Sequence, residues 1–200
     1  GNILGAQQSG FIESVGFELY SQMLKEAIDK LKGEKLPEEE PEIEIDLGID
    51  AYIPDNYISD GYQKIEMYKR FRNVETLEDI EELKEELIDR FGDYPKEVGD
   101  LLRVSRYKVF GKTAGVLSIK RDKEQVFILF SSKVSQNIDI QEIVSASQPF
   151  RKMVGFGMEG DQFKIILYLK FAKEISWLDA LDIIMENLPK TNQEKVKSLS

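Results

Sequence analysis

The sequence predicts an α+β fold: a largely antiparallel sheet with helices packed on one face, preceded by a long N-terminal helix. Two observations carry this reading. Apolar residues recur at three- and four-residue spacing through the first half of the chain, and at two-residue spacing after Gly115. Turn-forming residues then split the second half into paired strand-like runs.

Residues 8–32 form the first predicted helix, with Phe11, Val15, Leu19, Met23, Ala27 and Ile28 or Leu31 on one face. Gly33 serves as its C-cap, and Pro37 follows shortly after. Residues 34–41 are charged and flanked by proline, as expected of an acidic linker. Residues 42–47 alternate Glu-Ile-Glu-Ile-Asp-Leu, the pattern of a half-buried strand. Ser59 or Asp60 can cap a helix reaching about Asn73, with Ile65, Tyr68 and Phe71 inward. Thr76 with Asp79 is close to a capping box, and the helix it opens runs to Phe91 before Gly92. Pro95 allows a third helix to start at once, ending near Gly111 or Gly115.

Beyond that point 116–120 and 125–130 make one predicted hairpin, and 153–157 with 162–171 a second. A short helix over 139–145 separates them, and a helix over 175–187 closes the fold before Pro189. The expected organisation is therefore 1–33 as a leading segment, 34–41 as linker, 42–190 as the main domain and 191–200 as a frayed tail. A start at Gly1 without Met is expected of a piece of something longer, and equally of Met removal before glycine.

Composition excludes more chemistry than it suggests. The chain has no cysteine, so disulfides, thiolate metal sites and thiol nucleophiles are absent. It has no histidine either, which removes His-based triads, most zinc sites and the usual general base near neutral pH. No apolar run approaches eighteen residues, so no membrane span is expected. Net charge is −10 and unevenly spread. Residues 34–50 hold eight acids against one lysine, and 51–95 hold twelve acids against six bases. Residues 96–133 reverse the sign, with nine bases against four acids. An acidic surface repels phosphate, so only the basic stretch (Arg103, Arg106, Lys108, Lys112, Lys120, Arg121 and Lys123) is a candidate nucleic-acid contact. A solvated helix and hairpin face is its simpler explanation.

Several motifs dissolve on inspection. Gly155-Phe-Gly157-Met-Glu-Gly160 matches a dinucleotide fingerprint in letters, but a strand follows it where a helix is required. Gly111-Lys112-Thr113 resembles the end of a phosphate loop, but the earlier glycine would fall on Arg106. The acids between Glu78 and Glu86 lie on a helix whose other face is apolar, as a solvated face does, and no carboxylate hydrolase or metal site is recognisable. One set stands apart. Glu86, Asp89 and Arg90 share a helix face at i, i+3 and i+4, which suits either a polar docking patch or an ordinary intrahelical ion pair.

Longer motifs carry a family resemblance. Gly1 to Gly10, followed by Glu13-x-x-Gly16-Phe17-x-Leu19-Tyr20-x-x-Met23-Leu24, resembles the end of the translocation module of transcription-repair coupling factors, part of which RecG-type translocases share. Residues 51–60 (Ala-Tyr-Ile-Pro-Asp-x-Tyr-Ile-x-Asp), Tyr68-Lys69-Arg70 and 86–95 (Glu-Leu-Ile-Asp-Arg-Phe-Gly-Asp-Tyr-Pro) resemble the C-terminal domain of the same family. The likeness runs in order over about residues 1–190. It implies a parent with an ATP-driven motor that displaces stalled RNA polymerase from double-stranded DNA and recruits UvrA in the cytoplasm. The motor's catalytic motifs would lie before Gly1, so this chain is expected to be no enzyme and to hold no cofactor or metal. In the family the C-terminal domain docks on a UvrB-like N-terminal module and masks its UvrA-binding surface. That role falls on Glu86, Asp89 and Arg90 here, and coupling of ATP turnover to movement falls on Gln8. Separated from the motor, 1–32 would expose an apolar helical face, from which self-association or disorder is expected.

Overall fold

Asp60 accepts hydrogen bonds from the amides of Tyr62 and Gln63, at 2.8 and 3.1 Å, and so starts the first fully described helix. The structure is a computed structural model that describes residues 42–189, together with Leu24 and Lys25, which are helical. The expected 8–32 helix, the 34–41 linker, Gln8 and the 191–200 tail otherwise lie outside the described residues. The described chain divides into a helical unit, 49–106, and a sheet unit, 42–48 with 107–189.

The helical unit contains α1 (Gly61–Arg72), α2 (Leu77–Phe91) and the start of α3 (Lys96–Ala114). A full capping box opens α2. Thr76 Oγ1 accepts from the Asp79 amide, and the Asp79 carboxylate accepts from the amides of Thr76 and Glu75. Gly92 ends α2 with φ of 82°, a conformation open to glycine at little cost. The apolar stripes are buried in part as the spacing predicts. Tyr68 and Phe71 on α1 and Ile80, Leu83 and Leu87 on α2 are buried, and Met67 joins them. Ile65 is half-buried, and Leu77 and Ile88, which the same spacing would turn inward, are exposed. The preceding loop is tied in by hydrogen bonds. The buried Tyr68 hydroxyl accepts from the Ile53 amide at 2.8 Å, giving a loop N–H the partner it would otherwise lack. The Tyr57 hydroxyl lies 3.1 Å from the Leu87 carbonyl and 2.8 Å from that of Gly92, so its proton serves the end of α2. Burial, with Asp93 and Tyr94 nearby, raises the Tyr57 pKa and keeps that proton in place.

The sheet unit holds β1 (Glu44–Asp46), β2 (Val116–Asp122), β3 (Gln125–Phe130), β4 (Val154–Glu159) and β5 (Gln162–Tyr168). Their order in the sheet is β1-β2-β3-β5-β4. The two expected hairpins form, β2 with β3 and β4 with β5. The sheet is nevertheless mixed, which corrects the expectation of a largely antiparallel one. β1 runs parallel to β2, Ile45 opposite Ile119. A parallel neighbour needs a long crossover, and residues 47–115, carrying all three helices, provide that length.

One sheet face is fully buried: Val116, Ile119, Val126, Ile128, Phe130, Phe163, Ile165 and Leu167. The alternate residues Phe127, Leu129, Ile166 and Tyr168 stay half-buried, so the covering elements lie on one side. Among them are α4 (Ser132–Ser135), α5 (Gln141–Ala146) and α6 (Trp177–Glu186), the last capped by Ser176. Tyr107, in the later part of α3, bonds through its hydroxyl to the Asp182 carboxylate of α6 at hydrogen-bond distance. Gly111 allows α3 to sit close: a Cβ there would stand 2.7 Å from Ile43 Cδ1 and 3.3 Å from Val116 Cβ.

Candidate docking face

Glu86, Asp89 and Arg90 occupy the last turns of α2, and the structure separates them into two kinds. Glu86 does not pair with Arg90 along its own helix. It receives an ion pair from Arg70 of α1. Arg90 reaches Glu66 of α1 at 3.2 Å, lies 3.7 Å from Met67 Sδ and stacks over the Phe91 ring at 5.0 Å. Asp89 is exposed and has no ion-pair partner among the described residues.

The two bridges fix the register of the helices. Glu66 meets Arg90 and Arg70 meets Glu86, so α1 and α2 run antiparallel, one turn per bridge. The outcome is a two-helix ridge on which opposite charges alternate and Asp89 stands free of them. Side chains at both bridges are partly exposed, so each bridge adds little to stability and can exchange partners. The intrahelical pair that spacing allows is thus displaced by cross-helix pairing. Sequence reading missed Glu66 and Arg70. Their signal is faint but present, because Glu66 and Arg70 are themselves at i, i+4.

The rival sites gain no support. Of the basic stretch, Arg103 pairs with the buried Asp100 at 3.0 Å, Lys120 pairs with Glu44 at 3.1 Å, and Arg121 stacks on Trp177 at 5.1 Å. Gly155 and Gly157 lie within β4, and Gly160, with φ of 64°, opens the turn into β5, so a strand follows them where a dinucleotide fingerprint requires a helix. Lys112 and Thr113 are inside α3. No helix among the described residues is long and apolar enough to cross a membrane.

The family model described as "TRCF domain" matches residues 47–142, which contain the whole ridge. The transcription-repair-coupling factor of Bacillus subtilis (strain 168) is 47% identical over 198 residues, covering 99% of this chain and 17% of the relative. That of Staphylococcus aureus (strain USA300) is 43% identical over 187 residues, covering 93% of this chain and 16% of the relative. The chain therefore spans about a sixth of the length of these relatives. A crystal structure of the C-terminal domain of transcription-repair coupling factor superposes with a TM-score of 0.67 at 31% identity, over 80% of this chain and 97% of that one.

Proposed function

The chain belongs to the transcription-repair coupling factor family, and from that premise we propose that it is the regulatory C-terminal domain of its parent, docking on a UvrB-like N-terminal module to mask UvrA binding. In this reading the chain performs no catalysis and needs no cofactor or metal. RNA polymerase and double-stranded DNA are engaged by the parent in the cytoplasm, and Gln8 belongs to the parent's translocation motif.

The observation that supports docking is the α1–α2 ridge, with Asp89 unpaired among the described residues and two exchangeable bridges beside it. Charged contacts of this kind suit a latch. They give specificity and orientation, and they release when the partner moves, whereas a large apolar interface would hold the two bodies together.

The test is a titration of this chain against the separately expressed N-terminal module of its parent, with and without Glu86→Lys and Asp89→Lys. Docking that weakens at least tenfold with either reversal is expected. UvrA capture by the intact parent should rise with the same variants. Unchanged docking together with unchanged UvrA capture would overturn the proposal.

A further inference from the structure

The bridged charges of the ridge have two complete pairings. Glu66 and Arg70 stand at i, i+4 on α1, and Glu86 and Arg90 stand at i, i+4 on α2. Each pair has its acid on the N-terminal side, the better order for a bridge along a helix. The structure holds the other pairing, crosswise, with Arg70 on Glu86 and Arg90 on Glu66. Passage from one pairing to the other therefore makes as many ion pairs as it breaks.

The two arginines are held unequally. Arg90 has contacts besides Glu66, since its guanidinium lies over the Phe91 ring at 5.0 Å and 3.7 Å from Met67 Sδ. Arg70 is held by Glu86, and the two side chains are 41% and 32% exposed. Burial locks neither, and a pair this open shifts an equilibrium by up to about fivefold. Asp89, three residues beyond Glu86, shares its helix face and has no ion-pair partner among the described residues. A basic side chain that reaches Asp89 thus comes next to Glu86, where the guanidinium of Arg70 is already in place.

We propose that Arg70 is an internal competitor for the Glu86 carboxylate, displaced when the partner docks, and that it sets the affinity of the latch. This deepens the docking reading above and rests on it. A carboxylate has two oxygens, but a second cation on the free one would stand beside the first, and like charges at an interface oppose binding. Displacement has a ready outlet, because Glu66 lies one turn back on Arg70's own helix. Arg90, giving up Glu66, keeps its place over Phe91. The undocked ridge is then paired crosswise and the docked one along each helix. Self-pairing in the undocked state weakens the closed latch, so a small movement of the partner opens it.

The test is a titration of the 200-residue chain against the separately expressed N-terminal module at fixed salt. Arg70→Gln should tighten docking by about two- to fivefold, the worth of an exposed ion pair. In a Glu86→Gln background the same change should bring no gain, because nothing is left to compete for. A gain that persists there would mean that Arg70 acts only as general positive charge, and would overturn the proposal. Docking of Arg70→Gln that is unchanged or weaker would overturn it too, since the arginine would then hold Glu86 ready for the partner. Where Glu86→Lys and Asp89→Lys still weaken docking, those outcomes remove the competitor alone; where no form of the chain docks, both readings fall. Arg70 is partly exposed, and unchanged circular dichroism confirms that each variant folds.

Discussion

Two aspartates in the helical unit respond to folding with opposite sign, and the difference lies in what surrounds each carboxylate. Asp79 is half-buried at the start of α2, and amide hydrogen bonds from Glu75 and Thr76 hold its pKa below the usual carboxylate range. Asp100 is buried in α3, and desolvation raises its pKa against the opposing pull of Arg103. By linkage, the stability contributed by Asp79 is complete above its unfolded pKa and is lost as pH falls through its lowered folded value. For Asp100 the contribution is greatest below its unfolded pKa and is lost as pH rises through the raised folded one. Asp79→Asn isolates the first effect. Urea unfolding should show the variant less stable than the parent chain at neutral pH, with the two converging in acid. A stability gap that stays constant from neutral pH into acid would mean that the box carboxylate is not tuned by those amides.

At the scale of elements, α3 shows why one residue type has opposite uses in one helix. Glycine costs a helix interior up to about 1 kcal/mol relative to alanine. At Gly99 an added Cβ would meet only the Tyr94 ring at 3.5 Å, an ordinary contact. Gly99→Ala should therefore stabilise the chain by up to about 1 kcal/mol. At Gly111 the same Cβ would stand 2.7 Å from Ile43 and 3.3 Å from Val116, both buried. Overpacking there costs about 1–3 kcal/mol, which outweighs the propensity gain. Chemical denaturation of both variants checks the sign reversal, and two changes of the same sign would refute the packing account.

The contrast also marks the limit of sequence reading. Caps, apolar stripes and turn glycines are local signals, so α1, α2, α3, α6 and both hairpins were legible. The partner of β1 is a strand about seventy residues away, and no local period encodes whether that pairing is parallel. The geometry of the proposed docking face was half legible for the same reason. The spacing of Glu86, Asp89 and Arg90 was visible within one helix, but their partners Glu66 and Arg70 depend on how two helices register.

Across the whole molecule, the charge of −10 is a sum of unlike parts, and the proposed docking face sits in the acidic one. α2 alone carries Glu78, Asp79, Glu81, Glu82, Glu85, Glu86 and Asp89 against Lys84 and Arg90. A partner for that surface must be basic, and its approach must be steered by a field that salt screens within about 8 Å at physiological ionic strength. Bridges already formed on the ridge cannot steer; Asp89 and its exposed acidic neighbours can. The association rate with the N-terminal module should accordingly fall by about tenfold from low to physiological salt, while dissociation changes less. Asp89→Asn should flatten that dependence without altering the Arg70–Glu86 and Arg90–Glu66 pairs. Stopped-flow mixing across a salt series measures both rates. An association rate insensitive to salt would mean that apolar contact drives docking, and the charged ridge would then be solvated surface rather than latch.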